Sequence, residues 1–413
     1  MKRAIPLTGL SMLIIAGCGA NTPEPQNVNM SWPDAEWQIS SPEAEGLNPS
    51  PIQSFIEDIQ AGDYDLVDHL LIIRNGRIVT DQAFEQDYAD VSSSLEPGQV
   101  VGLNTTDQQY NYEDPNWHPF YKGTSLHSMQ SVTKSVTSAL IGAAIDRELI
   151  AGVDVPILPY FDAYDFDRSD PRKAEITLED LLTMRAGIDW TTEGGYDDPN
   201  HSTVGLEASD NWIQFVLDRP MDEMPGTVWE YNDGVSVLIG KVLREATGKP
   251  VGDWAREALF DPIGIDEFYW KITPDDETDT EGGLYLTAHD LARIGHLFLN
   301  EGEWNGTQVL SSEWVTTSVK PYVADVSPNN DTFDWGYSYQ WWVPEHENGE
   351  PTVYAGNGFG GQRLIVIPEH GIVAVLTGWN IFGNPGPVEI ALRERVIPEA
   401  IGLTPKDTAV SDE

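Results

Sequence analysis

The sequence predicts an α+β fold, an α/β sandwich in which an antiparallel sheet built from both ends of the chain is flanked by helices. Two β-rich runs flank Asn75-Gly76, which is a strong hairpin signal. β-rich runs return only after residue 336, and most of the residues between them follow helical spacing. We therefore expect an α/β sheet domain at 45–150 and 276–403, with a mainly helical domain at 151–275 inserted into it.

The first elements follow from local pattern. Apolar residues at helical spacing predict a helix over 50–60, and the hairpin strands cover 70–80. Residues 84–122 form a long polar stretch, which is consistent either with a wall of a functional site or with an irregular excursion. The later predictions are helices at 176–184, 211–217, 235–247 and 254–259, strands at 337–343, 363–367 and 372–376, and a closing helix at 387–401.

The central motif is a Ser-x-x-Lys tetrad at Ser131 and Lys134, followed at once by an apolar helical run. Ser131 therefore opens a helix, and Lys134 lies one turn later on the same face. A serine hydroxyl needs a nearby base to become a nucleophile, and the backbone N–H groups of a helix start suit a developing oxyanion. Alone, the tetrad is equally consistent with a capping serine followed by a surface lysine.

The composition excludes some partners. Asp and Glu total 67 against 23 Lys and Arg, for a formal net charge of −44. This charge argues against binding nucleic acid or an anionic membrane surface electrostatically. It is consistent with a solvated acidic shell or with steering of a cationic substrate.

The N-terminal segment is typical of a targeting signal. Lys2 and Arg3 precede an apolar run that ends at Ile15-Ala16-Gly17-Cys18, which resembles the lipobox of bacterial lipoproteins. The expected arrangement is a signal peptide at 1–18, lipidation of Cys18 and a flexible tether at 19–44. We expect an exported protein that is attached to the cell envelope only through this lipid anchor. Cys18 is the only cysteine, so no internal disulfide can form.

Two further stretches are candidates for a site. Pro225-Gly226 leads into Tyr231-Asn232-Asp233 at a predicted helix start, and Gly356-Asn357-Gly358-Phe359 precedes a predicted strand. Glycines let a backbone approach a ligand closely, although a plain turn at a strand edge has the same composition.

Together with the tetrad, these boxes resemble the serine β-lactamase and penicillin-binding protein superfamily. The resemblance covers about residues 45–403 and is greatest to the class C-like branch, which includes carboxylesterases, D-aminopeptidases and 6-aminohexanoate-dimer hydrolases. It implies a β-lactamase/transpeptidase-like fold with Ser131 as the acylated nucleophile, and with Lys134 and Tyr231 sharing the role of base. It also implies an oxyanion hole from the backbone N–H groups of Ser131 and Phe359. The implied substrate-binding residues are Asn232, Asp233, Gly356, Asn357 and Gly358.

Two positions depart from the superfamily pattern. The second box, Tyr231-Asn232-Asp233, usually ends in asparagine, but here it ends in aspartate. Asp233 either contacts Lys134 and raises the pKa of that lysine or caps the following helix. The third box usually begins with lysine or histidine, but here it begins with Gly356. A site without that cation should bind penicillin-like acids poorly.

The predicted function is therefore that of a serine hydrolase acting on small esters or amides through an acyl-enzyme. A D-stereospecific peptidase or β-lactamase-like enzyme on cell-wall peptides, and a non-catalytic surface binding protein, remain as alternatives. The eight histidines show no metal-ligand spacing, so we expect no metal and no cofactor. The oligomeric state cannot be read from the sequence.

Overall fold

The computed structural model describes residues 30–33, 36–64, 66–85, 123–192, 198, 200–326, 335–344, 352–380 and 386–404. The predicted signal peptide with Cys18 lies outside these residues, as does nearly all of the predicted loop at 84–122. Lipidation of Cys18 and a site wall formed by that loop therefore stay predictions.

The sheet combines the two ends of the chain, as predicted. Its eight strands follow the order β1-β3-β2-β13-β12-β11-β10-β9, in which β1 is parallel to β3 and the other neighbours are antiparallel. These strands are β1 Gln38–Ile39, β2 Val67–Arg74, β3 Arg77–Ala83, β9 Trp335–Tyr337, β10 Trp342–Pro344, β11 Tyr354–Gly358, β12 Gln362–Ile367 and β13 Ile372–Gly378. A smaller sheet joins β4 His127–Ser128, β6 Leu284–Leu286 and β5 Tyr269–Trp270, and β7 Glu303–Trp304 pairs with β8 Thr307–Gln308.

Helices cover both faces of the large sheet. The α-helices of the described residues are α1 Pro49–Ala61, α2 Val132–Asp146, α3 Leu178–Leu182, α4 Ser202–Glu207, α5 Trp212–Asp218, α6 Asp233–Thr247, α7 Val251–Ala255, α8 Ala288–Leu299, α9 Ser312–Ser318 and α10 Gly386–Ile390. α7 and α10 each continue through a π-helical turn, to Ile263 and Ala400 respectively. Successive strand residues point to opposite faces, so Leu70 packs with Phe55 of α1 while Leu71 belongs to the core that includes Leu140 of α2.

The predicted hairpin is confirmed. Asn75 and Gly76 both have positive φ, 53° and 76°, between the antiparallel strands β2 and β3. A two-residue turn of this kind matches the twist of the flanking strands. The hairpin places β2 beside β13, which joins the two ends of the chain in one sheet.

The predicted single strand over 337–343 is wrong. The chain leaves β9 at Tyr337 and re-enters the sheet at Trp342, and between them Gln340 adopts a positive φ of 61°. The buried Gln340 side chain donates to the carbonyls of Leu181 and Leu182, at 3.2 Å each. These tertiary hydrogen bonds stabilise a turn within a segment of high β propensity.

The predicted tether is also corrected in part. From Ser31 onward the described residues belong to one compact unit, and β1 pairs with β3 through Gln38 and Arg77. Trp37 is buried in the core, which explains why this part of the segment packs on the fold.

Between residues 151 and 268, the regular elements of the described chain are helical. They are α3 to α7 with short 3₁₀-helical turns. The boundaries of a separate helical domain stay a prediction. No described helix has both the length and the apolar character that crossing a membrane requires.

Candidate active site

Ser131 stands at the junction of β4 and α2. β4 pairs with β6, and Gln130 then turns the chain with a positive φ of 46°. A non-glycine residue in this region is uncommon and often marks a functional site. Ser131 occupies the N-cap position of α2, yet its side chain makes no capping hydrogen bond. The hydroxyl is therefore available for another partner, and the alternative of a capping serine is not supported.

That partner is Lys134. Its Nζ lies 2.9 Å from Ser131 Oγ, as the one-turn spacing predicted. The lysine is only 1% exposed, so the alternative of a surface lysine is wrong. The same ammonium has two further contacts. Its Nζ lies 2.8 Å from Asp233 Oδ1 and donates to the carbonyl oxygen of Glu281 at 2.7 Å.

The surroundings of Lys134 favour its charged form. Burial is the largest single effect and lowers the pKa of Lys134, but electrostatic interactions with Asp233, Tyr231 and Glu281 and the hydrogen bond that Lys134 donates to Asp233 act in the opposite direction. The net result is a pKa of Lys134 well above its usual value. Lys134 is therefore an ammonium at neutral pH, with no lone pair to accept a proton.

Tyr231 completes the group. The Tyr231 hydroxyl lies near Ser131 and Lys134, and Lys134 Nζ lies 5.2 Å from the centre of the Tyr231 ring. The ring stacks on Trp342, with the centroids 5.9 Å apart. Burial raises the pKa of Tyr231, as does Asp233, while Lys134 lowers it; the net direction is upward.

Asn232, rather than Asp233, caps the following helix. Asn232 Oδ1 accepts the hydrogen bond from Val235 N and occupies the N-cap position of α6. Asn232 also lines a small cleft with Met184 and Glu230. Its role in substrate binding stays a prediction.

Asp233 is the first residue of α6 and turns inward. One carboxylate oxygen contacts Lys134, and the other accepts from Thr203 Oγ1 at 2.5 Å. The expectation that Asp233 is only a helix cap is therefore wrong, and its alternative, contact with Lys134, is confirmed.

The third box lies on β11 beside the nucleophile. A Cβ on Gly356 would lie 3.0 Å from Val132 Cγ1 and 3.1 Å from Ser135 Oγ, both of α2. A Cβ on Gly358 would lie 2.5 Å from the carbonyl oxygen of Met129. Glycine thus lets β11 approach α2 and the segment that leads to Ser131.

The residues next to these glycines lie at the C-terminal end of the same strand, β11. Phe359 follows β11 directly, next to the segment that precedes Ser131. The structure therefore brings the two predicted oxyanion donors, the backbone N–H groups of Ser131 and Phe359, to the same region. Asn357 is half-buried, and its Oδ1 is a buried acceptor without a hydrogen-bond partner in the described residues.

One residue of the site was missed by the sequence analysis. Glu281 lies 147 positions after Lys134, and its Oε2 is 3.4 Å from Lys134 Nζ. The available signal was its position directly before Gly282-Gly283, ahead of β6, because paired glycines often mark a close approach of two segments.

The first comparison concerns the family. A family model described as Beta-lactamase matches residues 66–393, which is most of the chain. The chain belongs to the β-lactamase family. The boxes at Ser131, Tyr231 and Gly356 all lie within the matched part of this β-lactamase-family protein.

Curated relatives of this chain include proteins named as a hydrolase and as a penicillin-binding protein. The 6-aminohexanoate-dimer hydrolase of Paenarthrobacter ureafaciens is 24% identical over 271 residues, which cover 61% of this chain and 66% of the relative. Four curated relatives, including this one, are matched over only 39% to 66% of their own length.

Solved structures share the fold. EstCE1, a hydrolase with promiscuous acyltransferase activity, aligns with a TM-score of 0.63 and 15% identity over 87% of this chain and 99% of EstCE1. A penicillin-binding protein from Bacillus halodurans aligns with a TM-score of 0.57 and 15% identity, over 83% of this chain and 98% of that protein. The predicted β-lactamase/transpeptidase-like fold is confirmed.

Proposed function

We propose that the protein is a serine hydrolase that cleaves small esters or amides through an acyl-enzyme on Ser131. One observation carries the proposal: the Ser131 hydroxyl accepts from the Lys134 ammonium at 2.9 Å, and the Tyr231 side chain lies beside the same ammonium. Membership of the β-lactamase family supports it, as do similar proteins named as a 6-aminohexanoate-dimer hydrolase and as a hydrolase with promiscuous acyltransferase activity.

The hydrogen bonds of Lys134 support Tyr231 as the proposed base. An ammonium has three protons, and three acceptors lie within 2.9 Å of Lys134 Nζ: Ser131 Oγ, Asp233 Oδ1 and the carbonyl oxygen of Glu281. Since Ser131 Oγ accepts from Lys134, its own proton is free to pass to the nearby Tyr231 hydroxyl in the proposed mechanism. Lys134 stabilises the phenolate of Tyr231 but does not itself accept the proton.

The reaction then proceeds in two balanced halves. Tyr231, as phenolate, takes the Ser131 proton while Oγ bonds to the substrate carbonyl carbon, and the backbone N–H groups of Ser131 and Phe359 bind the resulting oxyanion. Collapse of the tetrahedral intermediate breaks the ester or amide bond, and the leaving alcohol or amine takes the proton from Tyr231. In the second half, a water molecule attacks the acyl carbon while Tyr231 takes its proton. The bond to Ser131 Oγ then breaks, Oγ takes the proton back from Tyr231, and the acid is released.

The third box favours substrates without a carboxylate. β-lactam antibiotics carry an acid that cationic side chains recognise by charge-assisted hydrogen bonds. No such side chain stands at Gly356, and the tight contacts of a Cβ there with Val132 and Ser135 disfavour one. The proposed substrates are therefore neutral or cationic esters and amides.

A substrate panel tests this proposal. We expect Ser131-dependent turnover of p-nitrophenyl esters and simple amides, and little turnover of penicillins. A Ser131→Ala variant measured in parallel corrects for background hydrolysis. Equal rates for the wild type and Ser131→Ala on every substrate would contradict the proposed function.

Replacing Asp233 by asparagine should shift the pH dependence of kcat/KM. Asp233 raises the pKa of both Lys134 and Tyr231, so the active form with one proton removed from this pair accumulates only at alkaline pH. Removing the charge of Asp233 lowers the pKa of Lys134 and that of Tyr231. The alkaline rise in kcat/KM should therefore move to lower pH by about 1–3 units. A rise at the same pH in the variant and the wild type would mean that Asp233 does not control the pair.

A further inference from the structure

Glu281 is a buried residue of the site and is held in place by its own loop. Only 7% of the Glu281 surface is exposed to solvent. Asp279 Oδ1 accepts from the backbone N–H groups of Glu281 and Gly282, at 3.2 and 3.0 Å. This arrangement directs the carbonyl oxygen of Glu281 toward Lys134 Nζ, which donates to it at 2.7 Å. The loop therefore supports Lys134 through its backbone.

The side chain of Glu281 is a poor partner for the same ammonium. Its Oε2 lies 3.4 Å from Lys134 Nζ, beyond the usual range of an N–H···O bond. Asp233 Oδ1 lies closer, at 2.8 Å. The three protons of the ammonium are already directed to better acceptors, so Asp233 is the primary counter-ion of Lys134.

The surroundings of Glu281 contain more carboxyl groups than cations. Three further carboxyl side chains face it: Asp233 from α6, Asp279 from its own loop and Glu207 from α4. Among the described residues, Lys134 Nζ lies 3.4 Å from Glu281 Oε2, and Lys271 Nζ lies 3.5 Å from Asp279 Oδ2. A buried carboxylate without a well-placed cation is costly, so one carboxyl group should retain its proton.

We propose that Glu281 is a positioning residue that acts as an uncharged carboxylic acid, so that Asp233 alone balances the charge of Lys134. This inference rests on the proposed function, because it explains how the base can form. A second buried carboxylate would oppose the phenolate of Tyr231. With Glu281 neutral, the Lys134–Asp233 pair has no net charge beside Tyr231.

Electrostatics point in the same direction. Burial is the largest effect and raises the pKa of Glu281. Lys134 lowers this pKa, whereas the nearby carboxyl groups of Asp233, Asp279 and Glu207 raise it further. The net pKa of Glu281 is well above the ordinary value of 4.5. A group of this kind contributes stability that is fully present below its unfolded-state pKa. That stability is lost as the pH rises from about 4.5 toward the folded-state pKa.

The test is the Glu281→Gln variant, because glutamine has the shape of the uncharged acid but cannot ionise. We expect the difference in Tm, variant minus wild type, to increase from about pH 5 to about pH 8. Charged, ion-paired Glu281 would give the opposite sign, since the variant would lose more stability at the higher pH. A variant that fails to fold would also count against the proposal, because an uncharged isostere should be tolerated.

Glu277→Gln is a matched control. Glu277 is as buried as Glu281 but is paired with Lys241 at 3.0 Å and Arg244 at 3.1 Å. This control should be destabilised at about pH 8 relative to the wild type. If both variants respond alike to pH, the proposal is overturned.

The pH–rate profile tests the positioning role separately. In Glu281→Gln, the alkaline rise in kcat/KM should occur at the same pH as in the wild type or at a lower pH. A rise displaced to higher pH would contradict the proposal. Loss of the proposed function would appear as the absence of Ser131-dependent turnover in the wild type, whereas the Tm measurement reports the charge of Glu281 without any substrate.

Discussion

Replacing Tyr231 by phenylalanine is expected to lower kcat by about 10²–10⁴-fold with little change in KM, because the variant loses the general base but keeps the ring. The ring is stacked on Trp342 and is 6.4 Å from that of Trp229, contacts that phenylalanine retains. Steady-state kinetics on an activated ester, with Tm as a check of folding, measure the effect.

Tyr337→Phe provides the matched control for this experiment. Tyr337 is a fully buried tyrosine whose ring is 6.5 Å from that of Tyr231. Its hydroxyl has no part in the proposed mechanism, so the control should keep most of the wild-type kcat. A Tyr231→Phe variant that kept more than about half of the wild-type kcat would contradict the role of Tyr231 as the base.

Replacing Lys134 by methionine should have the largest combined effect on activity and stability. The variant loses the charge that favours the Tyr231 phenolate and orients Ser131 Oγ, so kcat should fall by at least about 10²–10³-fold. It also leaves Asp233 buried without its cation, which should cost about 3–5 kcal/mol of unfolding free energy. Denaturant unfolding and steady-state kinetics measure the two losses.

Two controls separate the charge effect from the packing effect. Lys173 is also buried, but its Nζ donates to the carbonyl oxygen of Leu217, so Lys173→Met should leave turnover nearly unchanged. Adding Asp233→Asn to Lys134→Met should recover stability without recovering activity, since it removes the unpaired charge. A double variant as unstable as the sum of the single variants would contradict the buried ion pair.

Local signals were sufficient for the Ser131–Lys134 pair and for the hairpin. Ser131 and Lys134 are one helical turn apart, so their approach follows from helix geometry alone. The hairpin follows from Asn75-Gly76, because few other sequences accept two positive φ values in succession. These parts of the fold depend on neighbours in sequence, which is why they could be predicted.

Errors arose where distant contacts decide the structure. Asn232 and Asp233 are both good capping residues, and only the position of Lys134 determines which of them turns inward. Gln340 interrupts a β-rich run because it hydrogen-bonds to α3. Glu281 joins the site across 147 positions, with no periodicity to indicate it. Local propensity contains no information about such contacts.

The resemblance supplied what local pattern could not. Tyr231 lies nearly 100 residues after Lys134, and neither spacing nor composition links the two. The structure nevertheless places the Tyr231 ring 5.2 Å from Lys134 Nζ, which itself donates to Ser131 Oγ. The roles of these residues in catalysis are the part of the account that experiments must now test.

The most direct test is the site of covalent modification. After reaction with a fluorophosphonate probe, intact-protein and peptide mass spectrometry should find one label, attached to Ser131, and no label in Ser131→Ala. The Tyr231→Phe variant should be labelled much more slowly, since the same base activates the hydroxyl toward the probe. Labelling of a different residue, or no labelling of active wild-type protein, would contradict an acyl-enzyme on Ser131.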